Sequence, residues 1–242
     1  MQFKVHYDNY ARFNTPYLVI QNKGETGFQE YAATGQDEFG TFYEVTLEQP
    51  KPDLTIRFKD GAGESGRWEN ETLTRPYIPP KKRGKRSTAQ EIWCRGYNAF
   101  LYSVEPRKAE TKTAAEFVKQ FTFKPGAYIP ESGGLSGLGA NMLADGRVLF
   151  GLFHPNAARV YVTGDFNEWQ HPGLRKPNAA LCIEMNLYQG YFDMPNLWLA
   201  IVEQAQVGQE YKFFIQGGVP HNGQGKAELL TVDPYARQLG QE

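Results

Sequence analysis

A tryptophan at position 68 stands among polar residues, directly after a stretch, 60–66, that carries three glycines. Its neighbours Arg67, Glu69 and Asn70 supply a guanidinium, a carboxylate and an amide. A large ring is costly to leave in water, so its position in a loop favours contact with a ligand over packing in the core. A flat ring beside polar groups suits a sugar, whose apolar C–H faces are edged with hydroxyls. We interpret Trp68 and Asn70 as candidate sugar-binding residues.

Other kinds of chemistry have little support in the sequence. The histidines show no metal-ligand spacing with one another or with the cysteines, and no glycine-rich phosphate loop precedes a helix. We therefore expect no metal and no nucleotide cofactor. Cys94 and Cys182 are far apart in sequence, which indicates free thiols and a reducing compartment.

The charge balance excludes most strongly charged partners. The net charge is −1 and the isoelectric point about 6.5, so nothing draws the whole chain to nucleic acid or to an anionic membrane. One basic run, 81–86, could contact nucleic acid, but a single run in a near-neutral protein favours a solvated loop. The N-terminus lacks a signal peptide, and no stretch approaches the roughly 20 apolar residues of a membrane helix. The sequence thus predicts a cytoplasmic protein that binds neither nucleic acid nor membrane.

Short alternating runs separated by turn residues are typical of antiparallel β-sandwiches. The first half of the chain has such runs at 3–7, 17–20, 41–45, 54–58 and 91–93, and the second half at 147–150, 159–163, 197–202 and 210–215. Trp93 lies between Ile92 and Cys94, and Trp198 lies in an apolar run, so we expect both rings in the core.

Between the two halves the pattern changes. Ala114, Phe117, Val118 and Phe121 recur at helical spacing, and Thr113 with Glu116 forms a capping box. The glycine-rich run 131–139 follows and suggests a boundary. These features predict an all-β protein with a sandwich at 1–108, a linker with one short helix at 109–133, and a second sandwich at 134–242.

The second half contains an ordered set of motifs: Gly-Asp-Phe-Asn-Glu-Trp at 164–169, Tyr-Lys-Phe at 211–213 and Asp-Pro-Tyr-Ala at 233–236. This set resembles the isoamylase N-terminal domain, or family 48 carbohydrate-binding module, which has an immunoglobulin-like fold. In related glycogen-sensing domains, the resemblance implies sugar contact through Trp169 and Lys212. A second tryptophan of those domains has no counterpart, because Gly-Gly-Val-Pro stands at 217–220.

The first half resembles family 25 starch-binding modules. Thr-Pro-Tyr-Leu-Val at 15–19 is similar to that family's opening strand, and Phe-Lys-Asp-Gly-Ala-Gly at 58–63 with Arg-Trp-Glu-Asn at 67–70 is similar to its tryptophan element. The resemblance implies stacking through Trp68 and a second stacking position at Phe28. Where the family has a sugar-holding histidine this chain has Val19, which implies a weaker or shifted site.

The family 48 resemblance implies a catalytic barrel of glycoside hydrolase family 13 after the second module. None of the four barrel motifs of that family occurs in this chain, so we expect no catalytic residues. The sequence predicts a non-catalytic region that binds α-1,4/α-1,6 glucan and docks on its own C-terminal barrel. The alternative is a purely structural scaffold for that barrel, without sugar binding.

Overall fold

The computed structural model describes residues 2–22, 24–47, 54–77, 90–125, 138–217 and 228–236. The chain divides into two compact units, Met1–Glu105 and Pro106–Glu242. In the described ranges both units consist of β-strands, with one short α-helix in the second unit, which confirms the all-β prediction. The immunoglobulin-like topology stays a prediction. The basic run 81–86 and most of the glycine-rich run 131–139 lie outside the described residues.

The first unit contains the strands β1 (Gln2–Tyr7), β2 (Pro16–Asn22), β3 (Phe28–Ala32), β4 (Gly35–Gln36), β5 (Thr41–Thr46), β6 (Leu54–Asp60), β7 (Arg67–Trp68), β8 (Arg75–Tyr77), β9 (Gln90–Cys94) and β10 (Leu101–Tyr102). One sheet has the order β10-β9-β1-β5-β4, and the other has β3-β2-β6-β7 with β8 also paired to β6. Alternate residues of both sheets form one shared core, as in a sandwich.

Trp93 does not lie in that core, contrary to the sequence prediction. Its neighbours Ile92 and Cys94 are buried in the core, so alternation along β9 turns Trp93 to the outer face of the sheet. There its ring stacks on His6 of the neighbouring strand, with centroids 5.0 Å apart and planes at 11°. The ring is half-buried and packs against the sheet surface.

The second unit contains the strands β11 (Ala109–Thr113), β12 (Gly139–Met142), β13 (Val148–Phe153), β14 (Arg159–Gly164), β15 (Ile183–Glu184), β16 (Asn186–Gln189), β17 (Pro195–Val202), β18 (Tyr211–Gln216) and β19 (Glu228–Thr231), and the helix α1 (Ala114–Val118). Its sheets have the orders β11-β16-β17-β13-β12 and β15-β14-β18-β19. Trp198 is fully buried in the core that the two sheets share, as predicted. Its indole N–H donates to the His154 carbonyl at 2.9 Å.

The helix begins at the predicted capping box. Thr113 Oγ1 accepts from the Glu116 N–H at 3.2 Å, and the Glu116 carboxylate accepts from the Thr113 N–H at 2.7 Å. The buried side chains of Ala114 and Val118 pack in a second cluster with residues of β13 and β17. No helix in the described part of the chain is long and apolar enough to span a membrane.

The segment before the helix differs from the expected linker. Residues Ala109–Thr113 form an edge strand that pairs in parallel with β16, so they belong to the second unit. The side chains of this strand are mostly exposed. An exposed edge strand needs no apolar alternation, which is why its sequence, Ala-Glu-Thr-Lys-Thr, gave no strand signal.

Candidate functional site

The sheet β3-β2-β6-β7 has one face on the core of the first unit and one face turned away from it. Leu18 and Ile56 pack in the core, so Val19 and Arg57, their neighbours in sequence, lie on the opposite face. The strand register pairs Val19 with both Glu30 and Arg57, and pairs Trp68 with Lys59. The residues that share this outer face are Val19, Phe28, Glu30, Arg57, Lys59 and Trp68.

Two aromatic rings meet on this face at nearly a right angle. The ring centroids of Phe28 and Trp68 are 6.5 Å apart and their planes make an angle of 80°. Phe28 is 42% exposed and Trp68 is half-buried. We call this pair the Phe28–Trp68 notch. Val19 is buried on the same face, so the three positions implied by the family 25 resemblance share one surface.

Arg57 covers one side of the tryptophan. Its guanidinium carbon lies 3.9 Å from the centroid of the Trp68 ring, and its Nη2 donates to the Glu71 carbonyl at 2.7 Å. The attraction between a cation and an aromatic face favours this stack. Arg57 thereby ties the indole to the loop that follows β7.

Lys59 lies between the two rings and joins the sheet to the loop between β6 and β7. Its Nζ is 5.3 Å from the Phe28 centroid and 5.4 Å from the Trp68 centroid, and the residue is only 1% exposed. The ammonium donates to the Glu30 carboxylate and, at 2.6 Å, to the Gly63 carbonyl. The Gly63 N–H donates to Glu30 at 3.0 Å. The Gly63 N–H and the Lys59 ammonium together hold the pKa of Glu30 below its ordinary value.

Glu69, directly after the tryptophan, points into the unit. It is 6% exposed and pairs with the fully buried Arg75 through two contacts of 2.9 and 2.8 Å. Tyr7 also donates its hydroxyl to Glu69, at 3.3 Å. A guanidinium that contacts both oxygens of a carboxylate forms strong hydrogen bonds with a defined geometry. Glu69 therefore anchors the strand that presents Trp68.

Asn70 is exposed and shapes the turn after β7. Its side-chain oxygen accepts hydrogen bonds from the Thr72 N–H at 2.9 Å and the Thr72 hydroxyl at 3.0 Å. Such bonds are typical of asparagine turns. A sugar contact through Asn70 stays a prediction.

Trp169 of the second unit stands on an unusual turn. Glu168 and Trp169 both have left-handed backbones, with φ of 57° and 56°. The Trp169 indole N–H donates to Asp165 at 3.0 Å. Asn167 is buried; its oxygen accepts from the Gly164 N–H at 2.8 Å, and its amide donates to two carbonyls. The Gly-Asp-Phe-Asn element thus builds the turn that positions a half-buried Trp169.

Lys212 lies at the same end of the sheet as this turn. Lys212 in β18 pairs with Thr163 in β14. The next residue, Gly164, accepts a hydrogen bond from the Trp169 N–H through its carbonyl, at 2.9 Å. The Lys212 side chain is partly exposed. The structure therefore places Trp169, in the turn after β14, and Lys212, in the neighbouring strand β18, at the same end of one sheet.

The sequence analysis missed Arg57, Lys59 and Glu30. Alternation in the run 54–58 would have placed Arg57 and Lys59 on one face, opposite the core residues Ile56 and Phe58. Glu30 had no such signal, because β3 contributes little to the core. Among the described residues, no three His, Cys, Asp or Glu side chains lie close enough to hold a metal ion.

Two comparisons of sequence each match part of the chain. The family profile of carbohydrate-binding module 48, the isoamylase N-terminal domain, matches residues 137–236. The 1,4-alpha-glucan branching enzyme GlgB of Lactiplantibacillus plantarum is 33% identical over 102 residues. That stretch is 42% of this chain and 13% of the enzyme, so the chain corresponds to a small part of the relative's length.

Solved structures with distant likeness include two α-glucan-related proteins. One is a product complex of the multi-modular glycogen-degrading pneumococcal virulence factor SpuA, 13% identical, with 97% of this chain and 27% of that chain covered at a TM-score of 0.30. Another is type I pullulanase from Bacillus subtilis strain 168 with maltose, 16% identical, with 90% and 21% covered, also at 0.30. At TM-scores this low the likenesses carry no weight for fold or function.

The family profile confirms the resemblance drawn for the second half of the chain. The matched residues run from the start of β12 to the turn after β19 and include the turn that positions Trp169. The likeness of residues 1–108 to family 25 modules stays a prediction. Residues 137–236 of this chain are thus similar to carbohydrate-binding module 48, the isoamylase N-terminal domain.

Proposed function

We propose that this chain is a non-catalytic α-glucan-binding region, and that its first unit binds starch or glycogen chains through the Phe28–Trp68 notch. The observation that carries this proposal is the meeting of an exposed phenylalanine and a half-buried tryptophan at 80° on one sheet face. Aromatic faces pack against the C–H faces of sugars. Polar groups at the border of the notch, on Glu30 and Arg57, suit the sugar hydroxyls.

The angle between the rings favours an α-linked chain. A β-1,4 glucan is a flat ribbon and packs best on coplanar rings. An α-1,4 glucan curves, so successive glucose units turn their faces in different directions. Rings held at 80° fit the second shape and not the first.

We further propose that the whole protein is an enzyme of the α-amylase superfamily that acts on α-1,4/α-1,6 glucans. The module 48 domain and the branching enzyme with similar sequence support this. A catalytic barrel C-terminal to the module would carry the chemistry, and the binding region would raise the local concentration of glucan near it. The free thiols of Cys94 and Cys182 suit a cytoplasmic location.

The test is affinity electrophoresis of this chain in native gels. Gels that contain glycogen or soluble starch should retard the protein, and a gel that contains hydroxyethylcellulose, a β-1,4 glucan, should not. A protein that does not bind glucan, run in the same lanes, corrects for sieving by the polymer. Equal relative mobility in all gels would contradict the proposal.

A second candidate function, docking of the module 48 domain on the catalytic barrel, rests on a different surface. β19 is an edge strand, and the large apolar residues at its end are exposed: Leu229, Leu230, Val232 and Tyr235, at 42–51%. Apolar side chains on an open edge favour a partner surface. Asp233 holds the segment in place, because it accepts from the Tyr211 hydroxyl and from the Tyr235 N–H. If the chain were only a scaffold for the barrel, this surface would bind the barrel and no glucan gel would retard the protein.

A further inference from the structure

Two exposed tyrosines form a second pair of rings on the first unit. Tyr10 is 44% exposed and Tyr97 is 47% exposed. Their centroids are 6.4 Å apart and their planes make an angle of 89°. This geometry closely matches the Phe28–Trp68 notch, at 6.5 Å and 80°. We call the pair the Tyr10–Tyr97 notch.

The two loops that carry these rings are held close together. Asp8 Oδ1 accepts from the Gly96 N–H at 2.6 Å and from the Tyr10 N–H at 3.1 Å. A Cβ at Gly96 would lie 2.7 Å from the Tyr10 Cβ, which is closer than side-chain carbons approach. Only glycine at position 96 allows this crossing of the loops. The backbone therefore fixes how closely the two loops that carry the rings approach each other.

Tyr97 keeps its position against its own backbone preference. Its φ is 58°, in the left-handed region that is unfavourable for a bulky residue. Its N–H donates to the buried Glu69 carboxylate, and Arg75 donates to the carbonyls of Asn98 at 2.7 Å and Arg95 at 3.0 Å. The buried ion pair thus holds a strained residue whose ring faces water. Strain of this kind is concentrated at functional sites.

The same ion pair connects the two notches. Glu69 follows Trp68 in the chain and accepts from the Tyr97 N–H, so both notches rest on one buried carboxylate. The loop before β2, which carries Tyr10, also contacts the residue before Trp68, because the Arg67 guanidinium is 5.4 Å from the Phe13 ring. These contacts link the segments that carry the two notches.

We propose that the Tyr10–Tyr97 notch is a second contact site for α-glucan, which engages a further stretch or branch of a polymer bound at the Phe28–Trp68 notch. This inference rests on the proposed function of the unit. Tyrosine rings present an apolar face to a sugar and a hydroxyl to its edge. Polar residues stand near the two tyrosines in sequence, among them Asn9, Arg12 and Asn98, which suits a hydroxylated ligand. Glycogen offers many chains within reach, so two weak sites on a rigid unit strengthen binding together.

The test compares a short and a long glucan. In Tyr10→Ala and Tyr97→Ala, affinity for glycogen should fall about fivefold, because one of two linked contacts is lost. Maltotriose is a single short chain and should bind one notch at a time, so we expect its binding to fall far less. Phe192→Ala removes an aromatic side chain that is 89% exposed from the second unit and should change neither affinity.

A second readout does not depend on how the variants fold. Maltoheptaose should protect Tyr10 and Tyr97 of the unmodified chain from nitration, as mapped by peptide mass spectrometry, while Tyr235 stays reactive. The second site would be overturned if both variants kept their affinity for glycogen and maltoheptaose did not protect the two tyrosines from nitration. The first site would still stand in that case if Trp68→Ala lost glycogen binding. Equal loss for maltotriose and glycogen would also overturn the second site, since the tyrosines would then act through the Phe28–Trp68 notch. A wild-type chain that binds no α-glucan would refute the proposed function and this inference together.

Discussion

An Arg75→Ala variant is expected to lose about 3–5 kcal/mol of the folding free energy of the first unit, because it leaves the Glu69 carboxylate buried without its partner. Arg75 is fully buried and contacts both oxygens of Glu69, which is itself 6% exposed. Arg75 also donates to two carbonyls of the loop 95–98. One substitution therefore removes the support of both notches.

Urea unfolding gives the size of this loss, and hydrogen–deuterium exchange locates it. Peptides from the first unit should exchange faster in Arg75→Ala, and peptides from the second unit should not change. Arg147→Ala is the matched control, since its pair with Asp145 is exposed and should contribute nothing measurable. A double variant, Glu69→Gln with Arg75→Met, should recover part of the loss because no charge is left buried. Wild-type stability in Arg75→Ala would contradict the role of the ion pair.

A Trp68→Ala variant is expected to lose about tenfold or more in affinity for glycogen and maltoheptaose, or about 1.4 kcal/mol or more of binding free energy. The substitution removes one wall of the notch and leaves Phe28 and Arg57 without the ring that they contact. Isothermal titration calorimetry with maltoheptaose measures the loss. Trp68→Phe should retain part of the affinity, because a smaller ring still stacks.

Trp93→Ala is the control for this prediction. Trp93 lies in the same unit and is also half-buried, but it stands on the other sheet and stacks on His6. Its removal should leave glucan affinity unchanged. Equal effects of the two substitutions would show that tryptophan loss acts through stability of the unit and not through a sugar contact.

The strands and the helix could be predicted because their signals are local. Alternation identified the runs that became β6 and β18, and the capping box of Thr113 and Glu116 marked the start of α1. Alternation with the core residues Ile92 and Cys94 would have placed Trp93 on the outer face of the sheet. The run 91–93 was too short for the sequence to show which of its residues face the core. β11 gave no signal, because an edge strand with exposed side chains depends on backbone hydrogen bonds to β16.

The site could be predicted only in part, because it depends on register between distant strands. Phe28 and Trp68 are 40 positions apart along the chain and meet only because β3, β2, β6 and β7 pair in this order. Resemblance to a known family supplied both residues, but not their angle or the roles of Arg57 and Lys59. Glu69 looked like a surface neighbour of Trp68, yet alternation across β7 turned it inward to Arg75.

The indole N–H signals of the four tryptophans, followed by NMR during titration with maltoheptaose, test the central claim most directly. Trp68 should shift with saturation, whereas the fully buried Trp198 and the stacked Trp93 should not. A shift of Trp169 would in addition locate a glucan contact in the second unit. If Trp68 stays unshifted while maltoheptaose saturates the protein, the Phe28–Trp68 notch is not the glucan site.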